Sequence, residues 1–317
     1  MQDDYGTPRP IVVIAGASGF IGTHLTESFT RDGFRVRTIG RRVTDDARWQ
    51  DGPRRLAGVI EGSAALVNLA GRSVSCRYTK RTADEILRSR TETTRDLGLA
   101  LAECTTPPPV WMNSSTGTIY RDARDRPQDE ATGELGSGFS VAVARAWEQA
   151  LNEAPTPVRK VALRTAIALG TGGALNPVIN LARLGFGGRQ GDGAQRFSWI
   201  HVDDVYGAIR HVMNQPQISG PVNLAAPEVV TNEELMDQVR RHFGGVGDRF
   251  GLPLPSWSLE VGARVIRTEA ELVLKSRWVH PGVLLDSGFA YQFPHLEPAL
   301  ADVATHTGRG LLPVSLG

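Results

Sequence analysis

The chain has 317 residues, a formal net charge of +1 and 41% hydrophobic residues, which suffices for one large domain and a smaller lobe with an ample core. This balanced charge does not indicate binding to nucleic acid or to a membrane surface. No uncharged apolar stretch approaches the roughly 20 residues that a membrane-spanning helix requires. Two cysteines, Cys76 and Cys104, form neither a disulfide framework nor a metal set. The polar N-terminus contains no apolar signal core, so we expect a cytoplasmic protein.

The first predicted elements are a buried strand from Ile11, a glycine-rich turn and an amphipathic helix through Phe29. Gly16 would permit the sharp turn, Gly19 would let a pyrophosphate approach the backbone, and Gly22 would let the helix pack closely on its strand. The amides and the macrodipole at the helix N-terminus also favour a phosphate. The alternative is a glycine turn without a ligand. The predicted dinucleotide contacts here are Gly16, Ser18, Gly19, Phe20, Ile21 and Gly22.

The second predicted strand, from Phe34 to Ile39, decides which nucleotide the site prefers. In NAD-specific sites an acidic residue at the end of this strand binds the ribose 2′-hydroxyl, but Gly40 stands there in this chain. Arg41 and Arg42 follow, and a guanidinium suits a 2′-phosphate, while the missing acid removes a repulsion. The arginines could instead belong to a generally arginine-rich surface. The pattern favours NADP(H), with Gly40, Arg41 and Arg42 as contacts.

Strand and helix signals alternate over the next part of the chain, which predicts a doubly wound parallel sheet of the α/β class with helices on both faces. Such a sheet binds its ligand outside the carboxyl ends of its strands. The predicted elements are an apolar strand that ends at Gly71, a helix from Thr79 to Glu103, a strand from Val110 to Ser115, a helix from Ser140 to Glu153 and a strand from Lys160 to Leu169.

The remaining elements predict a smaller, mainly helical C-terminal lobe. We place an NADP-binding Rossmann domain at residues 1–170 and a substrate-side lobe at 171–317, of which residues 200–226 return to the main sheet. Thr231 and Glu234 have the spacing of a capping box, in which each side chain satisfies an orphan amide at a helix start. The predicted elements are a helix ending at Leu184, a helix ending near Asn214, a strand from Pro221 to Ala225, and helices ending at Phe243, running from Leu259 to Lys275 and starting at His295.

Several motifs, taken in order along nearly the whole chain, resemble one family. The glycine triplet, Asn68 to Gly71, Phe139 with Trp147-Glu148, and Trp199 to His201 are similar to the atypical extended short-chain dehydrogenase/reductases of the epimerase family, the 39U-type proteins, which carry their own C-terminal domain. The resemblance implies a Rossmann domain, NADP(H) binding and an activity that is assigned by fold. Further matching motifs are Ser89 to Thr94, Leu163 to Thr165, Gly185 to Gly188 and Pro281 to Leu300.

Further cofactor contacts are expected at the ends of the later strands, and the resemblance implies those in the segment from Asn68 to Gly71. Leu69 and Ala70 match backbone contacts beside the adenosine ribose. Glu85 and Arg90, on the long helix, either face the cofactor or form an exposed salt bridge on the helix surface. The predicted contacts of this part are Leu69, Ala70, Gly71, Glu85, Arg90, Ser114 and Arg164.

Short-chain reductases generally move a proton with a tyrosine and a lysine four residues apart on a helix, beside a serine. No tyrosine of this chain has a lysine at that spacing, and Phe139 and Val143 take the two places. Ser115 could instead polarise a substrate carbonyl while Tyr120 donates a proton with an unshifted pKa of ~10. The alternative is that both residues only satisfy backbone groups of the loop.

Two functions remain open from the sequence. The first is an NADP(H)-dependent oxidoreductase or epimerase of a small polar carbonyl or hydroxyl substrate. The second is a catalytically silent NADP(H)-binding sensor whose lobe docks a protein partner. We expect no nucleic-acid or membrane partner, and a homodimer is compatible with the sequence. No spacing predicts a metal site, while His201 is either an acid–base group or structural, and Asp203 is expected to cap a helix.

Overall fold

A sheet of parallel strands forms the centre of the fold in the computed structural model, which describes residues 9–74, 76, 78–173, 175–244, 251–255 and 275–307. The strands that come first and fourth along the chain are neighbours in the sheet, and the strand order reverses between them. Open α/β sheets bind their ligands at such a switch point. From one edge to the other the strands are β10 (Gly220–Leu224), β6 (Arg159–Thr165), β5 (Val110–Thr116), β4 (Ala65–Asn68), β1 (Ile11–Ala15), β2 (Arg35–Gly40) and β3 (Ala47–Arg48).

Helices cover both faces of this sheet, because the strands are apolar on both sides and each face must be buried. One face packs against α1 (Phe20–Arg31), α6 (Val202–Asn214) and α8 (Gly282–Asp286). The other face packs against α2 (Pro53–Ile60), α3 (Lys80–Glu103) and α4 (Phe139–Asn152).

A separate hydrophobic cluster joins the C-terminal helices to the end of the sheet. It is formed by α5 (Asn176–Arg183), α7 (Asn232–Phe243) and α9 (Leu296–Thr307) around Leu169 and Trp199. The capping box predicted for α7 is confirmed, since Thr231 and Glu234 satisfy each other's amides. Two short pairings complete this part: β7 (Ile167–Leu169) with β9 (Trp199–His201), and β8 (Arg196–Phe197) with β11 (Val230–Thr231).

Some element boundaries differ from the sequence prediction. The predicted strand from Lys160 to Leu169 breaks at Ala166, whose amide donates to the Leu224 carbonyl oxygen at 2.9 Å before the chain turns to pair with β9. The short elements β3 and α2 were not predicted. Asp203 does not cap α6; the N-cap is His201, whose Nδ1 accepts the Asp203 amide at 3.3 Å.

The doubly wound α/β fold with a helical C-terminal region is confirmed. The helix predicted from Leu259 to Lys275 lies outside the described residues except for Lys275. Among the helices that the structure describes, none is both long enough and apolar enough to cross a membrane.

Candidate functional site

The glycine-rich turn lies at the switch point between β1 and β4. Gly16 has a φ of +83°, which L side chains rarely adopt, and a Cβ there would lie 2.9 Å from the Ala70 amide nitrogen. A Cβ at Gly22 would overlap the Gly16 carbonyl oxygen and lie 2.8 Å from the Ala17 Cα. At Gly19, the N-cap of α1, a Cβ would have only the Gly16 carbonyl oxygen as a neighbour, at 3.6 Å.

This turn is therefore crowded on the protein side and open on the other side, the shape that a phosphate needs at a helix N-terminus. Ser18 is exposed, while Phe20 and Ile21 are half-buried and pack against the core. The Phe20 ring also reaches the next loop, since a Cβ at Gly170 would lie 2.8 Å from its Cζ. These side chains anchor the turn, and the amides of the first helical turn have no partner within the helix.

The end of β2 holds an acidic side chain that the sequence analysis missed. Asp45 folds back over Gly40, where a Cβ would lie 2.8 Å from the Asp45 Cγ. Its Oδ2 accepts the Arg42 amide at 2.7 Å. The expectation that no acid lies beside this strand end is therefore wrong, because the loop returns a carboxylate that does not directly follow the strand. The side chains of Arg41 and Arg42 are exposed at the same place.

Buried polar side chains tie the ends of β4 and β5 to the helices behind them. Asn68 Oδ1 accepts the Ala70 amide at 3.0 Å, and Asn68 Nδ2 donates to Asn113 Oδ1 at 2.6 Å. On the helix side, Trp147 Nε1 donates to Thr94 Oγ1 at 3.0 Å, and that hydroxyl donates to Asn113 Oδ1 at 3.3 Å. These bonds hold the turn after β4 in place against the glycine-rich turn.

The predicted contacts at the ends of β4 and β5 differ in accessibility. The Leu69 amide donates to the Ala15 carbonyl oxygen at 2.8 Å, and Ala70 is buried against Gly16. Gly71 is exposed and Ser114 is half-buried. Gly71 thus exposes its backbone directly after Ala70, which packs against Gly16.

The two charged residues predicted on α3 do not pair with each other. Glu85 forms ion pairs with Arg72 and with Arg81, the latter with 2.9 Å between Nε and Oε1. Arg90 turns inward, with its Cζ 5.0 Å from the centroid of the Trp147 ring, and its Nη1 donates to the Arg72 carbonyl oxygen at 3.0 Å. Glu85 thus forms salt bridges on the helix surface, as one of the two alternatives predicted, but its partners are Arg72 and Arg81 and not Arg90.

Ser115 and Tyr120 belong to one buried chain of hydrogen bonds. Ser115 Oγ donates to Glu148 Oε1 at 2.6 Å, and Glu148 accepts two further bonds of 2.8 Å from Nε and Nη2 of Arg164. Arg164 Nη1 donates to Tyr120 Oη at 2.9 Å, and that hydroxyl donates to Asn223 Oδ1 at 2.9 Å. All three side-chain nitrogens of Arg164 donate to protein partners, so its role as a cofactor contact stays a prediction.

The burial of Tyr120 changes what its phenol can do. Its side chain is 2% exposed, and this burial raises the pKa of Tyr120 although the Arg164 cation opposes the shift. The expectation of an unshifted pKa is therefore wrong, and the phenol stays protonated at neutral pH. A catalytic role for Tyr120 stays a prediction, and it requires a substrate to replace Arg164 or Asn223.

His201 lies between two carboxylates at the start of α6. Its Nδ1 is 3.5 Å from Asp203 Oδ2, and its Nε2 is 3.3 Å from Asp302 Oδ2 on α9. His24 Nε2 on α1 lies 2.9 Å from Asp203 Oδ1. Burial lowers the pKa of His201, and the two carboxylates oppose that shift. Because the carboxylates lie beside different ring nitrogens, His201 links α9 to the sheet, which favours its structural interpretation.

Comparison with known proteins identifies the family of the chain and agrees with its doubly wound α/β fold. Residues 12–225 match the NAD dependent epimerase/dehydratase family, and residues 254–303 match a domain of unknown function, DUF1731. The chain belongs to the NAD dependent epimerase/dehydratase family. The resemblance seen in the sequence motifs, with a C-terminal domain of its own, is confirmed.

Relatives of this epimerase/dehydratase-family protein align with it over almost their whole lengths. The epimerase family protein SDR39U1 of Homo sapiens is 30% identical, over 92% of this chain and 99% of that protein. The epimerase family protein YfhF of Bacillus subtilis (strain 168) is 29% identical, over 92% and 97%. A crystal structure of human SDR39U1 (isoform 2) with NADPH has a TM-score of 0.83 and 31% identity, covering 93% of this chain and 99% of that chain.

Proposed function

We propose that this epimerase/dehydratase-family protein binds NADP(H) at the carboxyl edge of its sheet. The observation that carries the proposal is the turn that is crowded at Gly16 and Gly22 but open at Gly19. The exposed guanidinium groups of Arg41 and Arg42 support a 2′-phosphate at the end of β2, and the similar human SDR39U1 was crystallised with NADPH. The dinucleotide would be held by the turn from Gly16 to Gly22, by Arg41 and Arg42, and by the backbone from Leu69 to Gly71.

We further propose that the protein is an oxidoreductase or epimerase of a small polar carbonyl or hydroxyl compound. A bound nicotinamide would supply or accept a hydride at a substrate carbon. The chain itself must then orient the substrate and move a proton at its oxygen atom. Ser115 and Tyr120 are candidates for this role. To bind the substrate oxygen, Ser115 would have to give up its hydrogen bond to Glu148, and Tyr120 one of its hydrogen bonds with Arg164 and Asn223.

Arg41→Ala is expected to weaken NADP(H) selectively, by about 1–3 kcal/mol, because a charge-assisted contact to the 2′-phosphate is lost. The binding of NAD(H), which lacks that phosphate, should change little. Fluorescence titration of the two reduced nucleotides against wild type and variant measures both values. Arg35→Ala is the matched control, since Arg35 is an exposed arginine at the opposite end of the same strand. An equal loss for both nucleotides, or none, would remove Arg41 from the site.

The turnover test uses a panel of carbonyl compounds with NADPH. If Ser115 or Tyr120 acts on the substrate, Ser115→Ala or Tyr120→Phe should lower turnover by ~10²-fold or more while NADPH affinity stays constant. If both variants retain wild-type turnover, Ser115 and Tyr120 have a structural role only. Thermal unfolding of each variant shows whether a loss comes from chemistry or from damage to the buried chain.

A second candidate function is a catalytically silent NADP(H)-binding sensor. Phe139 and Val143 at the start of α4, and the fully engaged Tyr120 hydroxyl, favour it. The sensor predicts that no carbonyl compound oxidises bound NADPH, and that the oxidised and reduced cofactors change the affinity for a protein partner. The sensor hypothesis is contradicted if the folded protein, but not the unfolded protein, turns over any compound in the panel.

A further inference from the structure

The carboxylate of Asp45 lies where a side chain at the end of β2 would otherwise be. Residue 40 is a glycine, and a Cβ there would overlap Asp45 Oδ2 and lie 2.8 Å from the Asp45 Cγ. Gly40 follows the glycine-rich turn by about 20 residues, the distance at which an acidic residue of a dinucleotide-binding sheet accepts the ribose 2′-hydroxyl. The loop after β2 therefore places a carboxylate at a position where the strand itself provides none.

Hydrogen bonds to the backbone hold this loop beside the strand. Asp45 Oδ2 accepts the Arg42 amide at 2.7 Å, and the Asp45 amide donates to the Arg42 carbonyl oxygen at 3.2 Å. The next residue, Asp46, accepts the Thr38 amide of β2 with its Oδ2, also at 2.7 Å. The carboxylate of Asp45 is therefore positioned by its own loop and needs no other side chain to hold it at Gly40.

The second oxygen of the Asp45 carboxylate is open to a ligand. Within the part of the chain that the structure describes, Oδ1 accepts no hydrogen bond, and it is not enclosed by protein atoms. The side chain is half-buried and forms no ion pair with a described residue, although the exposed Arg41 and Arg42 follow Gly40 directly. A carboxylate oxygen in this state can accept a hydroxyl proton in a charge-assisted hydrogen bond, but it repels a phosphate.

We propose that Asp45 is a specificity-determining residue of the nucleotide site, which accepts the adenosine ribose 2′-hydroxyl of NAD(H) and repels the 2′-phosphate of NADP(H). This inference rests on the proposed nucleotide binding at the carboxyl edge of the sheet. Arg41 and Arg42 attract the phosphate while Asp45 opposes it. The site therefore takes NAD(H) as well as NADP(H), and its preference for NADP(H) is smaller than the two arginines alone would give.

Asp45→Asn tests this role because it removes the charge and keeps the shape of the side chain. The amide oxygen of asparagine can still accept the Arg42 amide, so the loop should keep its conformation, which thermal unfolding checks. The variant should bind NADPH more tightly and NADH more weakly, and the ratio of the two affinities should shift toward NADPH by ~10-fold or more. Fluorescence titration with the two reduced nucleotides measures the ratio. If Asp45 only closes its loop, the ratio stays at the wild-type value.

The matched control is Asp46→Asn. Asp46 is the adjacent residue and also accepts a backbone amide at 2.7 Å, but its partner is Thr38, two residues before the end of β2, and its side chain is exposed. Both substitutions change the net charge of the protein equally. The ratio of affinities in Asp46→Asn should stay within ~3-fold of the wild-type value, since solvent and salt screen an exposed charge that makes no contact with the ribose. Equal shifts in the two variants would show a general effect of charge and overturn the role of Asp45.

The same titrations separate the failure of this inference from the failure of the proposed function. Wild type is expected to bind both nucleotides. Binding of NADPH with no measurable binding of NADH, or an unchanged ratio in Asp45→Asn, overturns the role of Asp45 and leaves the proposed NADP(H) site standing. Binding of neither nucleotide overturns both. The gain in NADPH affinity in Asp45→Asn should also shrink as the salt concentration rises, because the repulsion that the variant removes is already screened in wild type.

Discussion

Gly19→Val is expected to abolish NADP(H) binding while the protein remains folded. A Cβ at Gly19 has only the Gly16 carbonyl oxygen within reach, at 3.6 Å, and the φ of −79° is open to any residue. The branched side chain would therefore not disturb the protein, but its methyl groups would occupy the space where a pyrophosphate approaches the N-terminus of α1. Fluorescence titration with NADPH measures the loss, and thermal unfolding measures the intact fold.

Gly22→Val is the contrasting variant in the same turn. A Cβ there would overlap the Gly16 carbonyl oxygen, so this substitution should damage the contact between α1 and β1 and lower the stability of the protein. The two variants together separate a glycine required by a ligand from one required by packing. NADPH affinity that survives in folded Gly19→Val would place the nucleotide elsewhere.

Arg164→Met is expected to lower the free energy of unfolding by about 3–5 kcal/mol, because it leaves the Glu148 carboxylate without its partner in a largely buried position. The side chains of Arg164 and Glu148 are 9% and 14% exposed, and two bonds of 2.8 Å join them. Urea unfolding measures the change. Replacing both residues with methionine should recover part of the loss, since no unpaired charge then remains.

The control for that variant is Arg124→Met, which breaks a surface ion pair with Asp192. Both partners are about half exposed, at 47% and 56%, and solvent screens their attraction. Its cost should stay below about 1 kcal/mol. Equal losses in the two variants, or strict additivity in the double methionine variant, would mean that Arg164 and Glu148 do not form the coupled pair that the structure describes.

Local sequence patterns were enough to predict the fold and the glycine-rich turn after the first strand. The three glycines follow a strand and precede a helix, and the positive φ of Gly16 and the close packing of Gly22 depend on neighbours only a few residues away or on the adjacent strand. The parallel sheet followed from the alternation of strands and helices. The short helix Pro53–Ile60 was missed because two arginines follow its first residue and weaken its apolar signal in so short an element.

Contacts that loops and packed elements create were decided only by the tertiary structure. Asp45 returns to Gly40 through the fold of a loop, and Glu148 finds Arg164 across a helix and a neighbouring strand. Tyr120 has a raised pKa because its surroundings exclude water, which its sequence neighbours do not show. Likewise, Tyr78 and Phe139 are remote in sequence and meet because α3 and α4 begin at the same edge of the sheet. The sequence by itself thus determined the fold and the glycine-rich turn, whereas the partners of the buried polar side chains depended on which elements the packed sheet and helices brought together.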